Sequence, residues 1–68
     1  TNQTLEQLMG TLSLWYNVDV FFANEEVKRL HFTGCLRRYE DIGKLLKPIG
    51  ETVGATFSVQ GRTVCVSR

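Results

Sequence analysis

LEQLMGTLSLWYNVDVFF at residues 5–22 and IGKLLKPIGETVGATFSV at residues 42–59 decide the fold, because the second stretch nearly repeats the first at an offset of 37 residues. Leu5, Leu8, Met9 and Leu12 fall on Ile42, Leu45, Leu46 and Ile49, and the spacing within each set is that of one helical face. Val18, Val20 and Phe22 then fall on Ala55, Phe57 and Val59, where the period changes from 3.6 to 2. Each half is therefore an amphipathic helix running into a strand. Two such units in one short chain point to a duplicated helix-strand module whose helices share a core.

Length and charge bound the reading further. A chain of 68 residues, 43% of them hydrophobic, suits one compact domain over 1–68 and is too short for two cores. A core of this size supplies about 3–5 kcal/mol without a disulfide, a metal or a neighbouring domain, so a larger parent protein is expected. The helical pattern begins by Leu5, which leaves too little chain for a strand before it, although the second helix has one at residues 30–36. The chain thus reads as an excised C-terminal piece. Eight Lys and Arg against seven Asp and Glu give a net charge of +1, too weak a field to name nucleic acid or an anionic membrane as partner. No apolar run approaches the roughly 20 residues that span a bilayer.

The remaining elements follow from local chemistry. Thr4 and Gln7 have the spacing of a capping box, so the first helix should cover residues 5–16, with Asn17 as its stop. A strand carries Val18, Val20 and Phe22 on one side and Asp19 and Phe21 on the other. Residues 24–28 form a polar turn with room for a short helical twist, and residues 30–36 alternate as a second strand. Gly34 takes an inward position there, which implies close approach by another element, expected to be a helix. Asp41 sits at the repeat position of Thr4 and starts the second helix. Pro48 should kink that helix, which is expected to continue to about Thr52 and stop at Gly54. Residues 55–60 and 62–67 then make an antiparallel hairpin around Gly61. The fold class is α+β: βαβ-type repeats with the first strand missing, two helices packed on small sheets, and a C-terminal hairpin.

Catalytic and metal chemistry find little support in the residues. His31 is the only histidine, and four residues separate it from Cys35 on one strand face, beyond hydrogen-bond reach for a Cys-His pair. Cys35 and Cys65 lack the paired spacing of a zinc site, and a disulfide between them depends on whether their strands are neighbours. The glycines form neither G-x-G-x-x-G nor a P-loop. No enzyme activity, no metal and no cofactor are expected. Candidate partner-binding residues are Tyr16 at the end of the first helix, the Arg37, Arg38 and Tyr39 cluster of residue types common at hot spots, and Phe21. Trp15 continues the Leu5, Leu8, Leu12 stripe into the core. Phe21 lies off the buried face, either under a second layer or exposed to a partner. Charge reversal at Arg37 and Arg38 should weaken a partner without unfolding the chain.

Residues 5–22, residues 31–60 (HFTGCLRRYEDIGKLLKPIGETVGATFSVQ) and residues 62–68 (RTVCVSR) resemble, in order and spacing, the secretin and TonB short N-terminal domain. The likeness is in particular to the version that ends FecR-like anti-sigma factors, and the Phe32-Thr33-Gly34 triplet between two matched helix units is its most specific part. The missing first strand and Pro48 depart from the pattern. The resemblance implies a non-catalytic periplasmic module of an inner-membrane-anchored regulator. Its partner would be the N-terminal signalling domain of a TonB-dependent outer-membrane receptor, and a sigma factor would be held by the cytoplasmic part of the parent protein. Pairing along exposed strand edges is the mode of exchange that the architecture suggests. A small-molecule-binding domain of ACT or ferredoxin-like type is the alternative, and a single four-stranded sheet would support it. A nucleic-acid module of KH type lacks its GXXG loop here.

Overall fold

The computed structural model describes residues 2–38 and 41–68. The repeat governs its framework. Helix α1 is Leu5–Tyr16 and the longer of the later helices, α3, is Ile42–Val53, so both have 12 residues and begin 37 apart. Their caps keep the same offset. The Thr4 hydroxyl accepts from the Gln7 N–H at 3.2 Å while the Gln7 amide oxygen accepts from the Thr4 N–H at 3.1 Å, completing the capping box. The Asp41 carboxylate accepts from the Gly43 and Lys44 N–H groups at 3.1 and 3.4 Å. At the other ends Asn17 and Gly54 both take the left-handed conformation, with φ of 53° and 76°. The Ser13 carbonyl then accepts from Asn17 and Val18, as the Gly50 carbonyl does from Gly54 and Ala55. Pro48 lacks an N–H to donate, yet α3 continues through it to Val53.

A first strand is present after all. β1, Asn2–Thr4, pairs antiparallel with β3, His31–Thr33, in the register Asn2 to Thr33, Gln3 to Phe32 and Thr4 to His31. Three residues suffice because the Leu5 N–H donates to the Leu30 carbonyl at 2.8 Å, carrying the pairing into the first turn of α1. β3 ends at Thr33, before the expected residue 36. Gly34 therefore lies beyond the strand, and its close neighbour is no helix: an added Cβ would meet the Phe32 ring at 2.9 Å.

The second sheet joins the two halves. β2, Asp19–Phe22, runs parallel to β5, Thr63–Ser67, which pairs antiparallel with β4, Thr56–Gln60, giving the order β2-β5-β4. Two sheets of two and three strands thus stand where the ligand-binding alternative would need a single four-stranded one. Between β2 and β3 the polar turn contains a helix of one turn, α2, Glu25–Lys28, capped by Asn24. It adds the fully buried Val27 to the core, a contribution that four residues cannot announce by periodicity.

Both long helices touch both sheets, α1 through β1, β3 and β2, and α3 through β3 and β4. Their apolar faces meet in one cluster with Val64 and Val66 of the central strand. Leu5, Leu8, Met9 and Leu12 from α1 and Leu45, Leu46 and Ile49 from α3 are all buried within it. Trp15, Tyr16, Val20, Phe22 and Phe57 pack half-buried at its margin. Such a core leaves the outer face of the three-stranded sheet to solvent, and that face positions one of the candidate residues.

Candidate interaction surface

Tyr16 and Arg38 come together at one corner of the molecule, while Arg37 lies beside Lys44 and Pro48. The last turn of α1 carries Trp15 and Tyr16 to the loop that precedes α3, where the Tyr16 hydroxyl donates to the Arg38 carbonyl at 3.2 Å. The Arg38 guanidinium lies 5.9 Å from the centroid of the Trp15 ring, a cation–π distance. Trp15 is half-buried at the core margin, in line with its place on the apolar stripe, and Arg38 covers its outer face. Arg37 and Arg38 are exposed. Tyr39 lies outside the described residues.

Phe21 lies elsewhere, on the outer face of the three-stranded sheet. Parallel register sets it beside Cys65, whose partner on the other side is Ser58. Among the described residues no second layer covers this face: Phe21 is 58% exposed and Cys65 is exposed. The open choice at Phe21 thus resolves to an exposed hydrophobe on a strand at the sheet edge. Leu14, on the polar side of α1, is 84% exposed and was missed by the periodicity argument, which assigns only the buried face. The repeat itself held the signal, since the residue 37 positions on is Glu51 and a charge there is what a solvated helix face calls for.

Cys35 and Cys65 are free thiols, the first in the loop after β3 and the second on β5. His31, Thr33, Cys35 and Arg37 are all exposed, but the single strand face expected to carry His31 and Cys35 is not formed, because β3 ends at Thr33 and Cys35 lies in the loop beyond it. Among the described residues no three His, Cys, Asp or Glu are placed to hold a metal ion. Lys28, Glu25 and Glu6 form a small charged network, in which the Lys28 ammonium donates to Glu25 at 3.0 Å and lies 3.9 Å from Glu6. The hydrogen bond to Glu25, reinforced by that carboxylate's charge, raises the Lys28 pKa above the usual lysine value. Lys28 also stands 5.7 Å from the Phe22 ring centroid, so it ties α2 to both α1 and β2.

These surfaces offer recognition groups: aromatic rings, guanidinium groups, an exposed phenylalanine and strand edges. A sequence model for the family described as FecR, C-terminal, matches residues 1–66. No curated protein and no solved structure matches the chain. No helix among the described residues is long and apolar enough to cross a membrane.

Proposed function

Because this chain belongs to the family of FecR C-terminal domains, we propose that it is the receiving module of an anti-sigma regulator, a non-catalytic domain that takes a signal from the N-terminal domain of a TonB-dependent outer-membrane receptor. The family carries the regulatory role, with a sigma factor and a receptor as its general partners. The finer reading places this domain in the periplasm, anchored through a segment outside the chain, with the sigma factor held on the cytoplasmic side. The observation that supports it best is the exposed Phe21 on an uncovered sheet face, since a large hydrophobe held in water by a rigid strand is a contact in waiting. Relay then consists of surface exchange between folded proteins.

The test uses the full-length regulator in cells with a sigma-dependent reporter. Phe21→Ser alone, and Arg37→Glu with Arg38→Glu, should each abolish or sharply lower the response to the receptor's ligand while regulator abundance stays constant. All three residues are exposed, so folding should survive. An undiminished response in both variants would remove these surfaces from the relay.

A further inference from the structure

The repeat that builds the fold also builds two grooves. One lies between α1 and β2, with a volume of about 350 Å³, and the other between α3 and β4, with about 330 Å³. Met9, Ser13, Val20 and Phe22 line the first. Leu46, Gly50, Phe57 and Val59, each 37 residues on, line the second. β2 and β4 are the two outer strands of their sheet, so each groove is bordered by an edge with no neighbouring strand among the described residues. The Asp19 N–H donates to the Arg62 carbonyl at 2.7 Å and the Ala23 N–H to the Val66 carbonyl at 2.8 Å. Residues 19, 21 and 23 therefore turn their backbone groups to β5, and Val20 and Phe22 turn theirs outward. In the hairpin, Gln60 and Thr63 flank a two-residue turn and exchange hydrogen bonds, which leaves Phe57 and Val59 facing outward in the same way.

The two edges differ in what guards them. Lys47 and Glu51 line the α3 groove, and charged side chains, lysine above all, are a common means of keeping a strand edge from pairing. The positions 37 residues earlier hold Gly10 and Leu14. A Cβ built on Gly10 would meet nothing within 4 Å, Leu14 is 84% exposed, and Phe21 stands where β4 has Ser58. The β2 edge is thus open in space beside Gly10 and carries the exposed Phe21 at its rim. Glu6 and Asp19 also line its groove, where the α3 groove has Gly43 and Thr56. Lys28 lies near Glu6, but among the described residues no cation stands within ion-pair distance of Asp19.

We infer that the free edge of β2, with the groove between it and α1, accepts an extended strand of the partner protein, and that this strand carries apolar side chains and a basic residue for Asp19. The added strand would extend the three-stranded sheet through the N–H and C=O groups of Val20 and Phe22. Its inward side chains would lie over Gly10 and Met9, and its outward ones beside Phe21. This inference rests on the function proposed above, with the receptor's N-terminal domain as the partner.

Amide exchange on the chain, alone and saturated with the receptor's purified N-terminal domain, separates the outcomes. Binding that slows exchange at Val20 and Phe22, with Phe57 and Val59 unchanged, supports the proposal. Binding that protects Phe57 and Val59 instead, or neither pair, overturns it and leaves the receptor reading intact. Absence of binding overturns both. Protection of Val20 and Phe22 that rises with the chain's own concentration, without the receptor domain, would assign the edge to a second copy and also overturn the proposal. A variant provides an independent arm: Gly10→Lys installs the guard of the other groove at a helical site with open space. It should fold and weaken binding by about tenfold or more, whereas Lys47→Ala should leave affinity unchanged. Equal affinity of Gly10→Lys and the parent chain would contradict the assignment.

Discussion

Leu12→Ala is expected to leave most of the chain unfolded. Leu12 is fully buried between the helices and the central strand, and truncating such a residue costs about 2–5 kcal/mol in lost burial and residual cavity. A domain of this size commands about 3–5 kcal/mol in all, so the loss is comparable with the whole. The repeat sharpens the expectation. Ile49 occupies the equivalent place in α3 and is 2% exposed, so Ile49→Ala should be nearly as damaging. Leu14→Ala, by contrast, removes a side chain that is already in water and should change stability little. The check is the urea midpoint of each variant by far-ultraviolet circular dichroism. Equal midpoints for Leu12→Ala and Leu14→Ala would mean that the helices do not share the core described here.

Gly50→Ala and Gly10→Ala should move stability in opposite directions although both place alanine in a helix. Intrinsic helix propensity favours alanine over glycine by about 1 kcal/mol at either position. At Gly10 nothing opposes it, since the new methyl meets open space. At Gly50 the added Cβ would lie 2.7 Å from the Ala55 carbonyl oxygen and 3.3 Å from the Phe57 ring. The first of these contacts is with backbone and cannot swing away. The Gly50 carbonyl in turn accepts from the N–H groups of Gly54 and Ala55, so the end of α3 is fixed against the chain that enters β4. Overpacking of this kind costs about 1–3 kcal/mol and outweighs the propensity gain. The expected net loss is up to about 2 kcal/mol for Gly50→Ala, and more for Gly50→Val. Stabilisation by Gly50→Ala would show that the close approach between α3 and β4 is absent in solution.

Much of this architecture was legible in the sequence because duplication supplied an internal control. The offset of 37 places both long helices, and the caps that Thr4 and Asp41 provide mark their starts by side-chain chemistry alone. Gly54 and Gly61 both have positive φ, as the stop and the hairpin turn require. What the sequence concealed was short or non-local. β1 has three residues, too few for any period, and becomes a strand only because β3 is opposite it. The single turn of α2 buries one residue, Val27, which no pattern distinguishes from a loop valine. The close neighbour of Gly34 is the Phe32 ring, because β3 ends at Thr33 and Gly34 lies beyond it.

The candidate site was legible in part. Arginine and tyrosine chemistry pointed to the corner where Tyr16 meets Arg38, but only the fold brings them together across 22 residues of chain. Alternation placed Phe21 off the buried face and could not tell a second layer from solvent, since that depends on what packs against the far side of the sheet. Leu14 escaped because a search for core faces is blind to apolar residues outside them. A search for positions where the two repeats disagree in polarity, Leu14 against Glu51 and Gly10 against Lys47, reads the exposed side directly.

The central claim is that this domain receives a TonB-dependent receptor through its folded surface. Calorimetric titration of the chain with the N-terminal domain of the receptor from the same organism tests it most directly. A one-to-one complex, weakened by about tenfold or more in Phe21→Ser with the unfolding midpoint unchanged, is the expected result. No heat of binding, or an affinity indifferent to Phe21, would contradict the claim.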